Sequence, residues 1–213
     1  MPDSMPPGDC ARCPRLAGFR AQNVASWPDW FNQPVPTFGP NNAGLLIVGL
    51  APGLRGANRT GRPFTGDYAG DLLYPTLDRF GFSKGSYGAD PSDGVSLQNA
   101  RITNAVRCVP PQNKPVGAEI KACNGFLAQE IAQTEGLKVI LALGTVAHGA
   151  VLSALGYRKS LCKFAHGAVH NLENGLVLVD SYHCSRYNTN TGRLTEDMFH
   201  NVFGLIRENL SAG

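Results

Sequence analysis

Four short runs rich in apolar residues recur along the chain, and each is bounded by polar, glycine or proline residues. They cover residues 45–50, 101–107, 138–143 and 176–180. Runs of this length without regular polar alternation are typical of strands that are buried on both faces of a parallel sheet. The sequence therefore predicts four parallel strands.

Helical patterns alternate with these strands, at residues 69–80, 118–134, 145–155 and 195–209. Alternation of strand and helix predicts an α/β fold, in which helices cover both faces of the sheet and ligands bind beyond the carboxyl ends of the strands. Residues 1–40 contain prolines and two tryptophans without periodicity. We expect them to form an extended or loop-rich lead-in.

The composition limits the class of protein. Apolar residues make up 43% of the 213 residues and charged residues 16%, which favours one globular domain over residues 1–213. No apolar run approaches the roughly 18 residues of a membrane span, and residues 1–20 lack the continuous apolar stretch of a signal peptide. We therefore expect a cytoplasmic protein without membrane attachment. The net charge of +3 permits a local phosphate-binding surface but does not demonstrate one.

Six cysteines in a reducing compartment favour metal ligands or free thiols over disulfides. The candidate ligands are Cys10, Cys13, Cys108 and Cys123. The first two form a C-x2-C pair, and the last shares a predicted helix face with Ile120, Leu127 and Ile131. Spacing alone leaves three alternatives open: buried thiols, a zinc site and an iron–sulfur cluster. We expect Cys162 to serve packing and assign no ligand role to Cys184.

Four motifs follow one another along the chain: GLAPG at 49–53, NRTGRPFTGD at 58–67, ITNAVRC at 102–108 and YHCSRYNTNTGRLT at 182–195. Together they resemble the iron–sulfur uracil-DNA glycosylases of family 5, also called type B. The resemblance implies a three-layer α/β/α fold with a four-stranded parallel sheet. It also implies a [4Fe–4S] cluster on the four candidate cysteines, which ties in the N-terminal segment away from the chemistry. One departure is Cys184, since the superfamily typically carries proline between this histidine and serine.

The activity that the resemblance implies is that of a monofunctional, monomeric DNA glycosylase. It would hydrolyse the N-glycosidic bond of uracil in DNA during base excision repair, with hypoxanthine and hydroxymethyluracil as further substrates. A non-catalytic protein of the same fold that binds damaged DNA is the main alternative. It stays open because Ala51 occupies a position at which several branches of the superfamily carry a water-activating side chain.

Two residues are the candidate catalytic groups. Breaking the glycosidic bond leaves negative charge on the departing base and cationic character on the sugar. The resemblance implies that His183 donates a hydrogen bond to a uracil carbonyl oxygen and that Asp67 orients water or stabilises the sugar. Asp67 also precedes a predicted helix, so the alternative is that it serves only as the N-cap.

The remaining candidate residues would bind the base or the DNA. Asn104 offers an amide donor and acceptor that match uracil but not cytosine, and Phe64 is a candidate platform on which a flipped base stacks. Either side chain could instead be structural. Ala51 and Gly53 follow the first strand, where a glycine would leave room for larger bases. The candidate phosphate ligands are Arg186 and Arg193.

Overall fold

The computed structural model describes residues 4–211. Residues 1–3 and 212–213, which the single-domain prediction includes, lie outside this range. The helices are α1 (Pro14–Ser26), α2 (Ala57–Thr60), α3 (Tyr68–Arg79), α4 (Gly117–Gln133), α5 (Thr145–Ala154), α6 (Arg186–Asn190) and α7 (Glu196–Ser211). The strands are β1 (Leu45–Gly49), β2 (Ser83–Lys84), β3 (Ser96–Leu97), β4 (Ala100–Asn104), β5 (Val139–Leu143), β6 (Val169–Asn171) and β7 (Val177–Ser181).

The central sheet has five strands in the order β4-β1-β5-β7-β6. Its first four strands are parallel, and β6 pairs antiparallel with β7 at one edge. The α/β class and the four parallel strands are confirmed, but the predicted number of strands is one too low. Sequence inspection misses β6 because its three residues, valine, histidine and asparagine, form no apolar run. A separate small hairpin joins β2 and β3.

The side chains of β1 are buried on both faces of the sheet, as the apolar run predicts. Leu45 and Ile47 face a core shared with α3 and α7, whereas Leu46 and Val48 face a core shared with α4 and α5. The bounds of these four helices agree with the predicted ones to within two residues. Helices therefore cover the sheet from both sides. None of the helices in residues 4–211 is long and apolar enough to cross a membrane.

The N-terminal region contains regular structure that the sequence analysis did not predict. Instead of a loop-rich lead-in, residues Pro14–Ser26 form the helix α1, with proline in its first turn, where the missing N–H carries no penalty. Only Leu16 and Asn23 are buried along it, so its apolar periodicity is too weak to recognise. Leu16 packs with Val106 and Phe126 in a third, small apolar cluster.

The end of β4 also differs from the prediction. The strand stops at Asn104, whereas the predicted run extends to residue 107. Past that point the amides of Ala105 and Val106 still donate to the carbonyls of Gly49 and Leu50, at 2.9 and 3.1 Å. The chains after β1 and β4 therefore stay together beyond the sheet, at the edge where the carboxyl ends of the parallel strands meet.

Candidate active site

A cleft of about 560 Å³ opens at the carboxyl ends of β1, β5 and β7. The loops after these strands and the first turn of α3 line it. Its walls include three residues that the sequence analysis did not identify, namely Tyr68, Asn113 and Val146. Tyr68 directly follows Asp67 in the first turn of α3, which is the signal that could have identified it. Val146 lies in the first turn of α5, far in the sequence from every predicted site residue. Asn113 carries no comparable signal.

A smaller inner pocket of about 30 Å³ adjoins this cleft and shares several lining residues with it. The structure brings together there every predicted catalytic and base-binding residue. These are Ala51, Gly53, Phe64, Asp67, Asn104 and His183. The pocket holds only one or two water molecules. A base can therefore enter it only if the lining side chains move apart.

His183 lies two residues past the end of β7, at the junction of the cleft and the inner pocket. Its main-chain carbonyl accepts a hydrogen bond of 2.8 Å from Asn188 Nδ2. Its Nδ1 is buried and has no hydrogen-bond partner within the described residues. Burial lowers the pKa of His183 to about 4, because the desolvated ring disfavours positive charge. The imidazole is therefore neutral at physiological pH.

Asp67 is the N-cap of α3 and also lines the cleft and the inner pocket. Its Oδ1 accepts a 3.2 Å hydrogen bond from the amide of Ala69, and its Oδ2 lies close to Gly53 and Gly56. The cap is therefore observed, and the catalytic role stays a prediction. Burial raises the pKa of Asp67 above its usual value.

Gly53 has a more specific environment than the sequence suggested. A β-carbon at this position would lie only 2.9 Å from Oδ2 of Asp67. The missing side chain therefore leaves room first for the Asp67 carboxylate, whereas the prediction was room for a larger base. Gly56 is under the same constraint, because a β-carbon there would overlap the same carboxylate.

Asn104 and Phe64 meet above Gly49. Asn104 is the last residue of β4 and pairs in register with Gly49, the last residue of β1. A β-carbon at Gly49 would overlap Asn104 Oδ1 and would lie 2.5 Å from Cζ of Phe64. The Phe64 ring also faces His183, with ring centroids 5.9 Å apart and planes inclined by 28°. The absence of a side chain at Gly49 thus keeps both side chains at the pocket.

The two predicted phosphate ligands are placed differently. Arg186 lines the cleft, and its guanidinium lies 5.2 Å from the ring centroid of Tyr68. Arg193 does not line the cleft, and its guanidinium lies 4.6 Å from the ring centroid of Tyr182. Tyr187, which directly follows Arg186 in the sequence, is 72% exposed. This large exposed aromatic residue was not among the predicted site residues.

Cys184, at the position of the expected proline, is fully buried in the core on the α3 and α7 side of the sheet. The next residue, Ser185, is the N-cap of α6, and its side chain accepts a hydrogen bond from the amide of Asn188. Packing of Cys184 and capping by Ser185 thus anchor the segment after His183 without a proline ring.

A buried polar cluster fixes the end of β7. The carboxylate of Asp180 is fully buried, and its two oxygens lie 2.8 Å from His148 Nδ1 and 3.1 Å from His170 Nε2. The other ring nitrogen of His148 lies 3.0 Å from the carbonyl of Cys162. Both carboxylate oxygens are thus occupied, and β7 is tied to α5 and β6 three residues before His183.

The four candidate cysteines line a separate cavity of about 20 Å³, which shares no lining residue with the cleft or the inner pocket within residues 4–211. Apolar side chains of α1, α4 and the segment after β4 surround the sulfurs. Arg20 of α1 donates hydrogen bonds to Cys108 Sγ, at 3.3 Å, and to the carbonyl of Cys10, at 3.0 Å. All four predicted ligands line this one cavity, but no three of their sulfur atoms lie within 4.8 Å of one another. Their role as metal ligands stays a prediction.

Known proteins resemble this chain over most of its length. A family model described as the uracil DNA glycosylase superfamily matches residues 36–207. The type-5 uracil-DNA glycosylase of Thermus thermophilus is 45% identical over 199 residues, which cover 91% of this chain and 90% of that protein. Those of Pyrobaculum aerophilum and Mycobacterium leprae are 40% and 42% identical, over 91% of this chain and 86% and 88% of their own lengths. The chain therefore belongs to the uracil-DNA glycosylase superfamily and, within it, to the type-5 family of these DNA glycosylases.

Proposed function

We propose that this protein removes uracil from DNA by hydrolysing the bond between the base and the deoxyribose. The observation that carries the proposal is the inner pocket, where the end of β4, the segment after β7 and the segment between β1 and α3 bring an amide, a neutral histidine, a carboxylate and an aromatic ring together. Each group matches one requirement of the reaction: a donor for the departing base, negative charge near the sugar, recognition of the base edge, and a stacking surface.

His183 would act on the departing base. Because burial holds its pKa near 4, the ring is a neutral donor that can give one N–H to a uracil carbonyl oxygen. A hydrogen bond to an oxygen that gains negative charge strengthens as the bond breaks, and more so where water is excluded. The neutral ring also transfers no proton to the base beforehand, so its contribution is made in the transition state.

Asp67 would act on the sugar side. Ala51 lines the pocket but offers no polar side-chain atom, so it cannot activate water. Asp67 lines the inner pocket; its Oδ1 caps α3, and its Oδ2 does not take part in the cap. A carboxylate in this place can orient a water molecule or stabilise the cationic sugar. The cap hydrogen bond fixes the direction in which the second oxygen points.

Asn104 and Phe64 would select the base. A flipped uracil that stacks on Phe64 would present its O4 and N3–H to an amide such as that of Asn104. Cytosine presents the opposite donor and acceptor at these atoms. Asn104→Asp should therefore weaken discrimination against cytosine, measured as the ratio of excision rates on the two bases. An unchanged ratio would remove Asn104 from this role.

The DNA would lie across the cleft mouth. Arg186, held against Tyr68, and Arg193, held against Tyr182, offer charges for phosphates, and the exposed Tyr187 directly follows Arg186 in the sequence. Phosphate contacts position a duplex without reading its sequence. An exposed aromatic ring can additionally stack on bases.

One assay separates this proposal from the alternative of a protein that only binds damaged DNA. Purified protein is incubated with oligonucleotides that carry uracil, hypoxanthine or hydroxymethyluracil, and abasic sites are then cleaved with alkali. We expect cleavage with uracil, and also with the other two bases, as a base excision repair enzyme of broad range would give. Tight binding of all three oligonucleotides without release of any free base would support the alternative.

We also propose that Cys10, Cys13, Cys108 and Cys123 hold a [4Fe–4S] cluster. Four thiols with apolar walls and an arginine donor to one sulfur suit a thiolate-ligated cluster. Within residues 4–211, only His148, His170 and Asp180 bring three ligand atoms within 4.8 Å of one another. A single zinc ion at about 2.3 Å from each sulfur would need closer convergence of the four cysteines.

The cofactor proposal has a direct spectroscopic test. The purified protein should be brown, with broad absorbance near ~400 nm from thiolate-ligated iron, and should contain iron and inorganic sulfide. A colourless protein that contains stoichiometric zinc would contradict the proposal.

A further inference from the structure

Arg62 is a charged side chain buried directly behind the candidate stacking residue. It is only 5% exposed, and its two terminal nitrogens donate to the two oxygens of Asp93, both at 2.7 Å. Its Nε donates to Oγ1 of Thr65, also at 2.7 Å. A buried charge lowers stability unless it is paired and fully hydrogen-bonded. The three hydrogen bonds therefore hold the guanidinium of Arg62 in one position.

Two tyrosine rings pack against this ion pair. Tyr74 and Tyr87 are stacked, with centroids 4.4 Å apart and planes inclined by 11°. The guanidinium of Arg62 lies 5.2 and 5.9 Å from the two ring centroids, within the range of cation–π attraction. Cation–π attraction thus stabilises the packing of the two rings against the ion pair.

The hydroxyl groups of these tyrosines hold the main chain of the loop. Tyr74 donates to the carbonyl of Pro63 at 2.8 Å, and Tyr87 donates to the carbonyl of Phe64 at 3.2 Å. Burial raises the pKa of Tyr87 to about 12, so its hydroxyl remains a donor throughout the neutral range. Two consecutive carbonyls of the loop are therefore fixed from behind.

Phe64 needs such support because its backbone is strained. Its φ is +54°, in the left-handed region that side chains other than glycine rarely adopt, at a cost of about 1–2 kcal/mol. Gly70 lies beneath it, and a β-carbon there would overlap both the Phe64 carbonyl and the Tyr87 hydroxyl. In this conformation the Phe64 ring faces His183 and covers Gly49.

We propose that Arg62, Asp93, Tyr74 and Tyr87 form a brace that positions Phe64 for stacking on the flipped base. They are positioning residues, since they touch the loop but not the inner pocket. Asp93 comes from the segment that joins β2 and β3 and accepts further hydrogen bonds from the amides of Gly88 and Val95. The small hairpin outside the main sheet would thus serve to hold the stacking surface. The catalytic part of this inference rests on the proposed function.

Tyr87→Phe tests the brace with the smallest change, because it removes one hydroxyl and keeps the stacked ring. The hydroxyl donates to the Phe64 carbonyl and accepts a longer hydrogen bond from the Gly66 amide. We expect their loss to lower the single-turnover rate of uracil excision about tenfold, with DNA affinity changed less than about threefold. Tyr157→Phe is the matched control, because Tyr157 packs against the core on the opposite face of the sheet. It should leave the rate unchanged.

A double-mutant cycle separates positioning from a general structural effect. If Tyr87 acts through Phe64, Tyr87→Phe should have little further effect on the rate once Phe64→Leu has removed the stacking ring. The same tenfold loss in both backgrounds would overturn the proposal, because the hydroxyl would then act elsewhere.

A second measurement does not depend on glycosylase activity. Amide hydrogen exchange of residues 64 and 65 should be about tenfold faster in Tyr87→Phe than in the wild type, and unchanged in Tyr157→Phe. Gly66 is left out, because its own amide donates to the Tyr87 hydroxyl. Wild-type protein that releases no uracil would contradict the proposed function. The amide exchange rates would still show whether the Tyr87 hydroxyl holds the loop that carries Phe64. Unchanged exchange in Tyr87→Phe would overturn the brace even if the enzyme excises uracil.

Discussion

The inner pocket and the cysteine cavity are both small and enclosed, but their walls differ in character. The pocket contains polar groups in unfavourable surroundings, including a buried His183 nitrogen without a partner in the described residues and a carboxylate whose pKa is raised by burial. The cysteine cavity has apolar walls, and Arg20 donates a hydrogen bond to one of its sulfurs. Only the cysteine cavity has the apolar walls of a core that stabilises the fold.

This difference indicates a division of labour. Buried polar groups without full hydrogen bonding lower stability, so they persist where function requires them. The cysteine cavity instead joins α1 to α4 and to the segment after β4. Substitutions in the pocket should therefore reduce the reaction rate more than stability, and substitutions in the cavity should do the reverse.

The largest expected effect is that of Asp67→Asn. Losing an acid/base group typically slows a reaction by about 10²–10⁴, and single-turnover excision should fall by that range. Because the sugar is common to all substrates, the factor should be similar for uracil, hypoxanthine and hydroxymethyluracil. DNA binding should remain. Strongly different factors for the three bases would indicate that Asp67 acts on the base.

His183→Ala should have a smaller effect that depends on the base. Removal of one well-placed donor typically costs about 10²–10³ in rate, and the loss should be greatest for the base that leaves least readily. Single-turnover rates on the three oligonucleotides measure this dependence. Equal losses on all of them would assign His183 a role outside leaving-group stabilisation.

Cys13→Ala should show the opposite profile. Loss of a cofactor ligand is among the changes that destabilise most, so we expect the free energy of unfolding to fall by more than about 3 kcal/mol and the ~400 nm absorbance to decrease. The excision rate per folded molecule should change less than about tenfold. Cys162→Ala is a control, since Cys162 lies in the core near α5. If Cys13→Ala kept the wild-type free energy of unfolding but excised uracil slowly, the result would contradict the stabilising role of the cysteine cavity.

The pH dependence of stability tests the protonation state of His183 separately. His183 has a pKa of about 4 in the folded protein and about 6.5 when unfolded, so unfolding takes up a proton between these values. The free energy of unfolding should therefore decrease as the pH falls from about 6.5 to about 4. His183→Gln should flatten this decrease in urea titrations. Equal slopes in both proteins would contradict the neutral, buried state of His183.

The sequence predicted the parts of the fold that depend on apolar patterns and motifs. β1, β4, β5 and β7 contain short apolar runs, and the motifs at their ends indicated which side chains would meet. It could not predict α1 or β6, because two buried residues in α1 and three mostly polar residues in β6 leave no periodic signal. Their positions are set by packing against distant segments.

The sequence motifs indicated the candidate site residues one by one, but not the contacts that hold these residues in place. The motif NRTGRPFTGD indicated Phe64 and Asp67, whereas the partner of Arg62 lies 31 residues away in a segment without a motif. The separation of the cap and pocket oxygens of Asp67 likewise depends on the absence of side chains at Gly53 and Gly56. Such contacts are made only after the chain has folded.

The most direct test of the division of labour is the single-turnover rate of uracil release by Asp67→Ser, measured beside its free energy of unfolding. Serine is as good an N-cap as aspartate, so α3 keeps its cap while the pocket loses its carboxylate. We predict a free energy of unfolding within about 0.5 kcal/mol of the wild type and a rate lowered by about 10²–10⁴. A wild-type rate would contradict the account, because Asp67 would then be only a helix cap.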